Sequence, residues 1–379
     1  MHPPVDLPPA IRTDASNAFA HHTMRVRVPG ILRQTAQLNP DYSPAIADAL
    51  EQLASRLEAD APIPPLELPA PDYEDWMAVY ELHRGETWGN SQWWFAEIYL
   101  YRQLMQAVRW FETGRDPFAP RKQEELESSA LWALIEEAYA DVPAERAERF
   151  SVRLLDALRG NRIDLSHQAA EHGTDWLSSD LLADERVQAV EHLLRAPGPV
   201  HIVVDNTGSE LAMDLLLALA LIADGRTVVL HVKWHPTFVS DATAADARQL
   251  ITLFELRLGH DALARAFEAG RLRLAPDPFW NSAHFLWALP PRLRAVFEDA
   301  ALVIVKGDAN YRRLIGDALW PPETPFAQVM AYFPKPLLAL RTLKSDGVVG
   351  LSKGQAEALD VVDPDWRVNG RRGVIQFKP

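Results

Sequence analysis

The feature that most restricts the fold is an alternation of short apolar runs with helical patterns, which begins after Pro197-Gly198-Pro199. The runs are rich in β-branched residues and span 200–204, 227–232, 272–275, 302–305 and 337–340. Strands that alternate with helices in this way form βαβ units, in which the strands are parallel and helices cover the sheet. We therefore expect an α/β fold with a mostly parallel, Rossmann-like sheet flanked by helices. Short additional strands are expected at 347–351 and 373–377.

The first 190 residues show helical patterns instead. The spacing of apolar residues predicts helices over 44–57, 76–82, 93–110, 122–140 and 144–158. Proline-rich stretches at 61–71 and 115–121 separate them, and Gly160 is expected to end the last one. These patterns predict an N-terminal helical domain at 1–190 and an α/β domain at 191–379, with the boundary near residues 190 to 198.

Composition limits the partners of the chain. It has 379 residues and a formal net charge of -14, so it can bury a sizeable core and repels nucleic acid over most of its surface. It contains no cysteine, which excludes disulfides, thiolate metal sites and thiol nucleophiles. No signal-peptide pattern is visible in the first 20 residues, and no stretch approaches the roughly 18 apolar residues of a membrane helix. We expect a cytoplasmic protein without a membrane or nucleic-acid partner.

Polar side chains follow the predicted strands at the point where each strand ends. Asp205 and Asn206 follow the first run, residues 233–241 follow the second and residues 306–312 follow the fourth. Two cations at 341–344 follow the fifth. In an open α/β sheet, ligands bind in the crevice beyond the carboxyl ends of the strands. If the strands are parallel neighbours, these clusters converge on one edge of the sheet.

The combination of residue types indicates phosphoryl transfer. Carboxylate and amide oxygens suit a hard divalent cation such as Mg²⁺ or Mn²⁺, and such a metal lowers the pKa of a bound water. Lysines and arginines stabilise the phosphoryl oxygens as charge shifts in the transition state. Gly307, directly after Lys306, allows the backbone to approach a phosphate closely.

Each cluster alone also has a purely structural interpretation. Asp205-Asn206 can be a turn or a helix cap, because both side chains bond to the backbone N–H groups that follow. Asp241 can be another cap, the segment at 306–308 a turn between strand and helix, and the cations at 341–344 a solvated face. Taken together, these interpretations do not explain why each strand end carries the same kind of chemistry.

Several longer motifs resemble a known family. They are DNTGSEL at 205–211, FVSD at 238–241, KGDANYR at 306–312 with Gly316-Asp317, LRTLK at 340–344, WFAEIYLYR at 94–102 and GNRIDLS at 160–166. In this order they resemble the damage-control phosphatase family with the ARMT-like domain, also called domain of unknown function 89. The Arg-Thr-x-Lys form of the motif at 341–344 resembles its sugar phosphate phosphatase subfamily.

The resemblance implies a metal-dependent phosphatase in which a helical domain packs on an α/β domain that binds the metal. Its cofactor would be a divalent ion, Mn, Mg, Co or Ni. Its substrates would be small phosphorylated metabolites, namely phosphomonoesters such as fructose 1-phosphate or fructose 6-phosphate, and its role would be metabolite damage control.

The resemblance also assigns roles to residues. Asp205, Asn206 and Asp241 would hold the metal, and Asp205 or Asp241 would orient or deprotonate the attacking water. A covalent route with Asp205 as the nucleophile remains open, although Thr207 breaks the Asp-x-Asp arrangement of aspartyl-phosphate phosphatases. The substrate pocket would be formed by Lys306, Asp308, Asn310, Arg312, Arg341 and Lys344, with Lys344 and Lys306 facing the phosphate.

The helical half is expected to close over the strand ends. Asn161 and Asp164 are expected to contribute to the substrate pocket. Glu97 would either pair with Arg102 or another cation, or face the site, because an unpaired buried carboxylate is costly. The tryptophans at 88, 93 and 94 are expected in the core.

Two other functions compete with hydrolysis. One is carboxyl methyl transfer from S-adenosylmethionine to a protein glutamate, for which Glu210 would bind the cofactor. The loop after the first strand has only Gly208, however, where that cofactor's usual fold has a glycine-rich loop. The other is a non-enzymatic module that binds a sugar phosphate or a metal without turnover.

Overall fold

The computed structural model describes residues 6–163 and 180–379, and its centre is one seven-stranded sheet. The strand order is β1-β7-β6-β5-β2-β3-β4. The strands are β1 Leu181–Asp184, β2 Val200–Val203, β3 Val228–Lys233, β4 Leu272–Asp277, β5 Leu302–Lys306, β6 Leu337–Thr342 and β7 Gly373–Lys378.

The sheet is mostly parallel, as the sequence predicts. Strands β6, β5, β2, β3 and β4 pair with their neighbours in parallel. Strand β7 runs antiparallel to β6, and β1 pairs in parallel with β7. From β2 the chain proceeds to β3 and β4 on one side and then to β5 and β6 on the other. The order therefore reverses between β2 and β5, which is where open α/β sheets bind their ligands.

The helices lie before, between and after the strands. They are α1 Ala18–His22, α2 Val28–Leu38, α3 Pro44–Glu58, α4 Tyr73–Glu81, α5 Trp93–Ala107, α6 Trp110–Thr113, α7 Ala119–Glu127, α8 Ser129–Ala140, α9 Arg146–Ile163, α10 Arg186–Arg195, α11 Ser209–Ala223, α12 Ala244–Leu258, α13 Ala262–Glu268, α14 Pro291–Val296, α15 Asp308–Ile315, α16 Phe326–Val329 and α17 Gln355–Val362. A π-helical turn, Thr23–Arg27, joins α1 to α2, and 3-10 turns occupy Pro278–Asn281, Leu286–Ala288 and Met330–Tyr332. Among the described residues, no helix is long and apolar enough to cross a membrane.

Alternate residues of the central strands β2, β5 and β6 pack into two different cores. On one face, residues such as Ile202, Leu230 and Ile304 pack with α8, α9, α11, α12 and α13. On the other face, residues such as Val203 and Val305 pack with α14 to α17. This two-sided burial explains why the strands are continuous apolar runs in the sequence.

The first six helices have a core of their own. It contains the aromatic residues of α5 together with residues from α2, α3 and α4. Trp88, Trp93 and Trp94 are buried there, as the sequence predicts. Trp94 also donates a hydrogen bond from Nε1 to the carbonyl of Ala283, at 2.8 Å, which ties this core to the loop after β4.

Several local expectations differ from the structure. Gly160 does not end α9, which continues to Ile163. It lies instead at the contact with α11, where a Cβ atom would be 2.9 Å from Cα of Glu210. The predicted helix over 122–140 is two helices, α7 and α8, and residues 347–351 form no strand. Strand β1 lies within the segment expected to be helical. The predicted boundary at residue 190 falls inside α10, while α7 to α9 pack on the sheet, so the division into domains stays a prediction.

Candidate metal and phosphate site

Asp205 and Asn206 follow β2 after the single residue Val204, and Gly307 and Asp308 directly follow β5, so the two strand ends meet where the strand order reverses. Gly307 has a φ of +81° and lies against Asp205: a Cβ atom on Gly307 would be 1.9 Å from Oδ2 of Asp205. Only glycine adopts this backbone without strain and leaves the space that the carboxylate occupies. Asp205 and the loop after β5 are thus built to fit each other.

Asp241 reaches the same place through a strained loop after β3. Phe238 and Val239 have φ values of +48° and +70°, a conformation that is unfavourable for a β-branched residue. The loop nevertheless makes ordered contacts: the N–H of Thr207 donates to the carbonyl of Ser240, and the N–H of the residue after Asp241 donates to the carbonyl of Asp205, both at 2.7 Å. Backbone strain held in this way is common at functional sites.

The two carboxylates are buried and act on each other. Burial raises the pKa of Asp205 well above its usual value, and the charges of Asp241 and Glu210 raise it further. Burial also raises the pKa of Asp241, although Lys233, whose Nζ lies 2.6 Å from Oδ2, opposes that rise. Two buried carboxylates that destabilise each other's charged forms are a favourable environment for a cation.

Asn310 and Asp308, in the first turn of α15, bind backbone groups at or just after the ends of β2, β5 and β6. The side-chain amide of Asn310 donates to the carbonyls of Lys306 at 2.9 Å and Val204 at 3.1 Å, and lies 3.4 Å from Oδ1 of Asp205. Burial alone would raise the pKa of Asp308, but the charges of Arg341 and Arg312 and hydrogen bonds from Lys344 and Ser345 together outweigh this, and the pKa is lowered. Asp308 also accepts from the backbone N–H of Lys344 at 3.0 Å, which positions that lysine.

Lys344 differs from the other three predicted cations of the pocket. It is half-buried, and its ammonium makes no hydrogen bond or ion pair with any described residue. Its charge nevertheless lowers the pKa of Asp205, so it lies within electrostatic range of the carboxylates. Among these cations, Lys344 is the one that no side chain in 6–160 or 180–379 binds, which leaves its ammonium available to an anionic ligand.

The expectation that Lys306 faces a phosphate differs from the structure. Its side chain is 0% exposed and its Nζ lies 2.9 Å from both Glu210 and Asp214. Strand alternation places it on the same face as Ile304, beneath α11. Its charge is therefore used inside the protein and is not available to a substrate.

Arg312 and Arg341 are likewise bound to the protein rather than open to a ligand. Arg312 pairs with Asp317 at 2.7 Å and with Glu97 at 2.6 Å, and its guanidinium lies 3.7 Å from the centre of the Trp93 ring. Arg341 pairs with Asp308 at 2.7 Å and donates to the backbone of the loop that follows β6. Both arginines thus support the site through contacts with the protein, and their predicted contact with substrate stays a prediction.

The helical half contributes Glu97, which pairs with Arg312 rather than with Arg102. Arg102 instead pairs with Asp72 at 2.8 Å. The side chain of Asn161 and all of Asp164 lie outside the described part of the chain, so their predicted place in the pocket stays a prediction.

Sequence reasoning missed three residues that hold the site. Lys122 of α7 is buried, pairs with Asp116 and Asp246 at 2.8 Å each, and donates to the carbonyl of Asp241 at 3.1 Å. Nothing in the sequence connects it with that distant loop. Asp214, by contrast, follows Glu210 by four residues in an otherwise apolar helix. This spacing places both carboxylates on the same face of the helix and indicates that they share a buried partner.

The third missed residue is Glu125, also on α7. Its Oε1 accepts hydrogen bonds from the backbone N–H and the hydroxyl of Ser209, at 2.8 Å and 3.0 Å. A carboxylate at this place favours the helix, because the first N–H groups of α11 have no partner within the helix. Gly208, which has a φ of +66°, provides the space for the Glu125 side chain, since a Cβ atom on Gly208 would lie 2.1 Å from the Glu125 carboxylate.

The donor set fits a hard divalent cation. Asp205, Asn206 and Asp241 supply two carboxylates and one amide oxygen, the ligand types that Mg²⁺ and Mn²⁺ prefer. The described residues contain no group of three or more His, Asp or Glu side chains placed to hold a metal. An ion at this site would therefore depend on the amide of Asn206 and would keep positions open for water and substrate.

A family model described as the damage-control phosphatase ARMT1-like domain matches residues 23–359 of the chain. The chain belongs to this family. Membership in the damage-control phosphatase family makes the protein a phosphatase and confirms the predicted resemblance to the family, while the subfamily stays a prediction.

Relatives of this family match over nearly the whole chain. The damage-control phosphatase ARMT1 of Danio rerio is 30% identical over 98% of this chain and 97% of its own length. ARMT1 of Rattus norvegicus is 32% identical over 86% of this chain and 85% of its own length. A crystal structure of a DUF89 family protein from Pyrococcus horikoshii, 16% identical, has a TM-score of 0.56 and covers 97% of this chain and 100% of its own. That likeness confirms the α/β fold.

Proposed function

We propose that this damage-control phosphatase hydrolyses small phosphomonoesters with a divalent metal held by Asp205, Asn206 and Asp241. The observation that carries the proposal is the pair of buried carboxylates, Asp205 and Asp241, at the reversal of the strand order. The ammonium of Lys344, which none of the described residues binds, lies in electrostatic range of them. A cation site next to a free positive charge suits a phosphate, whose oxygens bind both.

The residues of the chain then have separate roles. Asp205 and Asp241 hold the metal, and one of them orients the attacking water and accepts its proton. Lys344 binds an oxygen of the phosphoryl group and offsets the charge that shifts onto it in the transition state. When bound, the divalent ion supplies Lewis-acid stabilisation of the phosphoryl oxygens and a more acidic water.

We propose sugar phosphates as the substrate class, with fructose 1-phosphate and fructose 6-phosphate as the first candidates. The support is the Arg-Thr-x-Lys sequence at 341–344, which resembles the sugar phosphate phosphatase subfamily. In the structure this sequence places the free Lys344 beside the strand ends, while Arg341 anchors the loop that carries it. The metal is proposed as Mn²⁺, Mg²⁺, Co²⁺ or Ni²⁺.

The test is phosphate release from a panel of phosphorylated metabolites with each of these metals. We expect metal-dependent turnover of sugar phosphates by the wild-type protein, and loss of at least about 100-fold in kcat for Asp205→Asn and Asp241→Asn. The control is Asp261→Asn, whose carboxylate is half-exposed and pairs with Arg265 at the surface. Activity of Asp205→Asn at the wild-type rate would show that the site is misassigned.

Borohydride treatment during turnover separates direct attack from a covalent route, because it reduces an acyl phosphate on Asp205 to homoserine. We expect Asp205 to stay unreduced. Reduction of Asp205 would establish an aspartyl-phosphate intermediate. Methyl transfer is not part of the proposal, because Glu210 is fully buried and both of its oxygens contact protein side chains.

A further inference from the structure

Glu210, in the first turn of α11, joins a proposed metal ligand to a buried group of charges. Its Oε2 accepts a hydrogen bond from Nδ2 of Asn206 at 2.8 Å, and its Oε1 accepts one from Nζ of Lys306 at 2.9 Å. Lys306 also lies 2.9 Å from Asp214, and all three charged side chains are 0% exposed. The carboxylate of Glu210 is therefore bound on both sides by the protein itself.

The contact with Glu210, together with a longer one from the same NH₂ group to Oδ2 of Asp205 at 3.3 Å, fixes the orientation of the Asn206 amide. An ionised carboxylate only accepts hydrogen bonds, so Asn206 must turn its NH₂ group toward Glu210 and its Oδ1 the other way. On that side Oδ1 accepts a hydrogen bond from the hydroxyl of Ser240 at 2.7 Å. Hard cations bind an amide through its oxygen, so this orientation is the one that can hold a metal.

Lys306 and Asp214 allow the charged side chain of Glu210 to be buried in the protein interior. An isolated buried carboxylate is costly, and a buried lysine between two carboxylates compensates for much of that cost. Lys306 also donates to the carbonyl of Ala157 at 2.7 Å, so its ammonium makes three contacts. Of these partners of Lys306, Glu210 also contacts Asn206, whereas Asp214 contacts the lysine without contacting Asn206.

We propose that Glu210 is a positioning residue for the metal ligand Asn206, and that Lys306 and Asp214 balance its charge. This inference rests on the metal site of the proposed function. Mutation of a group that hydrogen-bonds to a metal ligand and orients it typically lowers the metal affinity by about 10–100-fold. Because the described residues offer no third carboxylate to the metal, the orientation of Asn206 has a direct effect on binding.

The test measures the Kd for Mn²⁺ by calorimetry, without substrate, in two variants of Glu210. Glu210→Gln keeps the shape but can donate as well as accept, so Asn206 is free to turn over. Glu210→Asp keeps the charge but withdraws the carboxylate from Asn206. We expect the Kd to rise about 10–100-fold in both variants, with thermal unfolding showing a folded protein in each case.

Glu255→Gln is the control, because it makes the same change of residue type at an exposed position of α12. We expect it to bind Mn²⁺ with the wild-type Kd. Wild-type affinity in both Glu210 variants overturns the inference, and so does an equal loss in Glu255→Gln. If Glu210→Asp binds normally while Glu210→Gln does not, charge alone matters and the positioning role is wrong.

Asp205→Asn distinguishes failure of the inference from failure of the proposed function. Loss of Mn²⁺ binding in that variant, together with wild-type affinity in the Glu210 variants, overturns the positioning role and leaves the metal site in place. A wild-type protein that binds no Mn²⁺ overturns both.

Discussion

Lys233 and Asp241 form an ion pair that is almost completely buried, with Nζ of the lysine 2.6 Å from Oδ2 of the aspartate. The lysine ends β3 and the aspartate ends the strained loop that follows, so the pair closes that loop. It also determines the electrostatics of the site, because burial raises the pKa of Asp241 and Lys233 is the largest opposing influence.

Replacing the lysine of this pair should therefore affect both stability and the pH dependence of activity. Lys233→Met leaves the buried Asp241 carboxylate uncompensated, and we expect the free energy of unfolding to fall by about 3–5 kcal/mol. The pKa of Asp241 should rise further, so its ionised form requires a higher pH. The acidic limb of the pH–rate profile should then shift to higher pH.

Denaturant unfolding and phosphate release between pH 5 and 9 check this prediction. Lys353→Met, at an exposed position, should change the free energy of unfolding by less than about 0.5 kcal/mol. An unchanged profile in Lys233→Met would mean that the pair does not control the ionisation of Asp241.

Gly307→Ala should inactivate the enzyme by displacing Asp205. The new Cβ would lie 1.9 Å from Oδ2 of that carboxylate, so the carboxylate or the loop must move. A displacement of about 1 Å at a reacting group can reduce the rate about 100-fold. We expect a loss of that size in kcat, measured with any accepted phosphomonoester.

Gly225→Ala is the control for the backbone conformation alone. Gly225 has a φ of +88°, similar to Gly307, but no atom lies within 4 Å of its added Cβ. It should cost about 1–2 kcal/mol of stability and leave kcat unchanged. Equal kcat in the two variants would show that Asp205 is not constrained by Gly307.

The strands and their convergence could be predicted from the sequence, because buried parallel strands are continuous apolar runs and their carboxyl ends meet at one edge. The placement of Asp205 and Asp241 followed from that rule. The direction of Lys306 did not enter the prediction, although alternation along β5 places it on the face of Ile304, beneath α11.

Other features depend on contacts between distant segments and leave no local sign. Lys122 reaches the carbonyl of Asp241 across 119 positions of the sequence, and no spacing rule connects two such residues. Gly160 resembles a helix end locally, yet its role is set by the helix packed against it. Tertiary packing determined the outcome in both cases.

Gly160→Ala tests that packing role. In an exposed helix the change would stabilise the protein by up to about 1 kcal/mol, because alanine is the better helix former. Here the added Cβ would lie 2.9 Å from Cα of Glu210 and 2.9 Å from the carbonyl oxygen of Ser209. Since both are backbone atoms, α9 and α11 must separate, and we expect a net loss of about 1–3 kcal/mol.

The free energy of unfolding measures this effect, with Gly30→Ala as the matched control. Gly30 lies inside α2, and nothing lies within 4 Å of its added Cβ. That variant should be more stable than the wild type. If Gly160→Ala were stabilising to the same extent, the close approach of α9 and α11 would not depend on the glycine.

His201 and His231 should make the fold sensitive to acid. They lie side by side on β2 and β3, with Nδ1 of one 2.9 Å from Nε2 of the other. Burial lowers the pKa of His201 to about 4 and that of His231 to about 3. Because the unfolded chain takes up protons near the unperturbed pKa of about 6.5, the stability due to the pair is complete above that pH. It is lost as the pH falls toward 4.

For His201 alone, the lowered pKa corresponds to about 3 kcal/mol between neutral pH and pH 4. The double variant His201→Gln/His231→Gln lacks both titrating groups, so its free energy of unfolding should fall less steeply than that of the wild type from pH 7 to 5. The difference between the two curves isolates the histidines, because all carboxylates are present in both proteins. Parallel curves would show that the pair is not held neutral by burial.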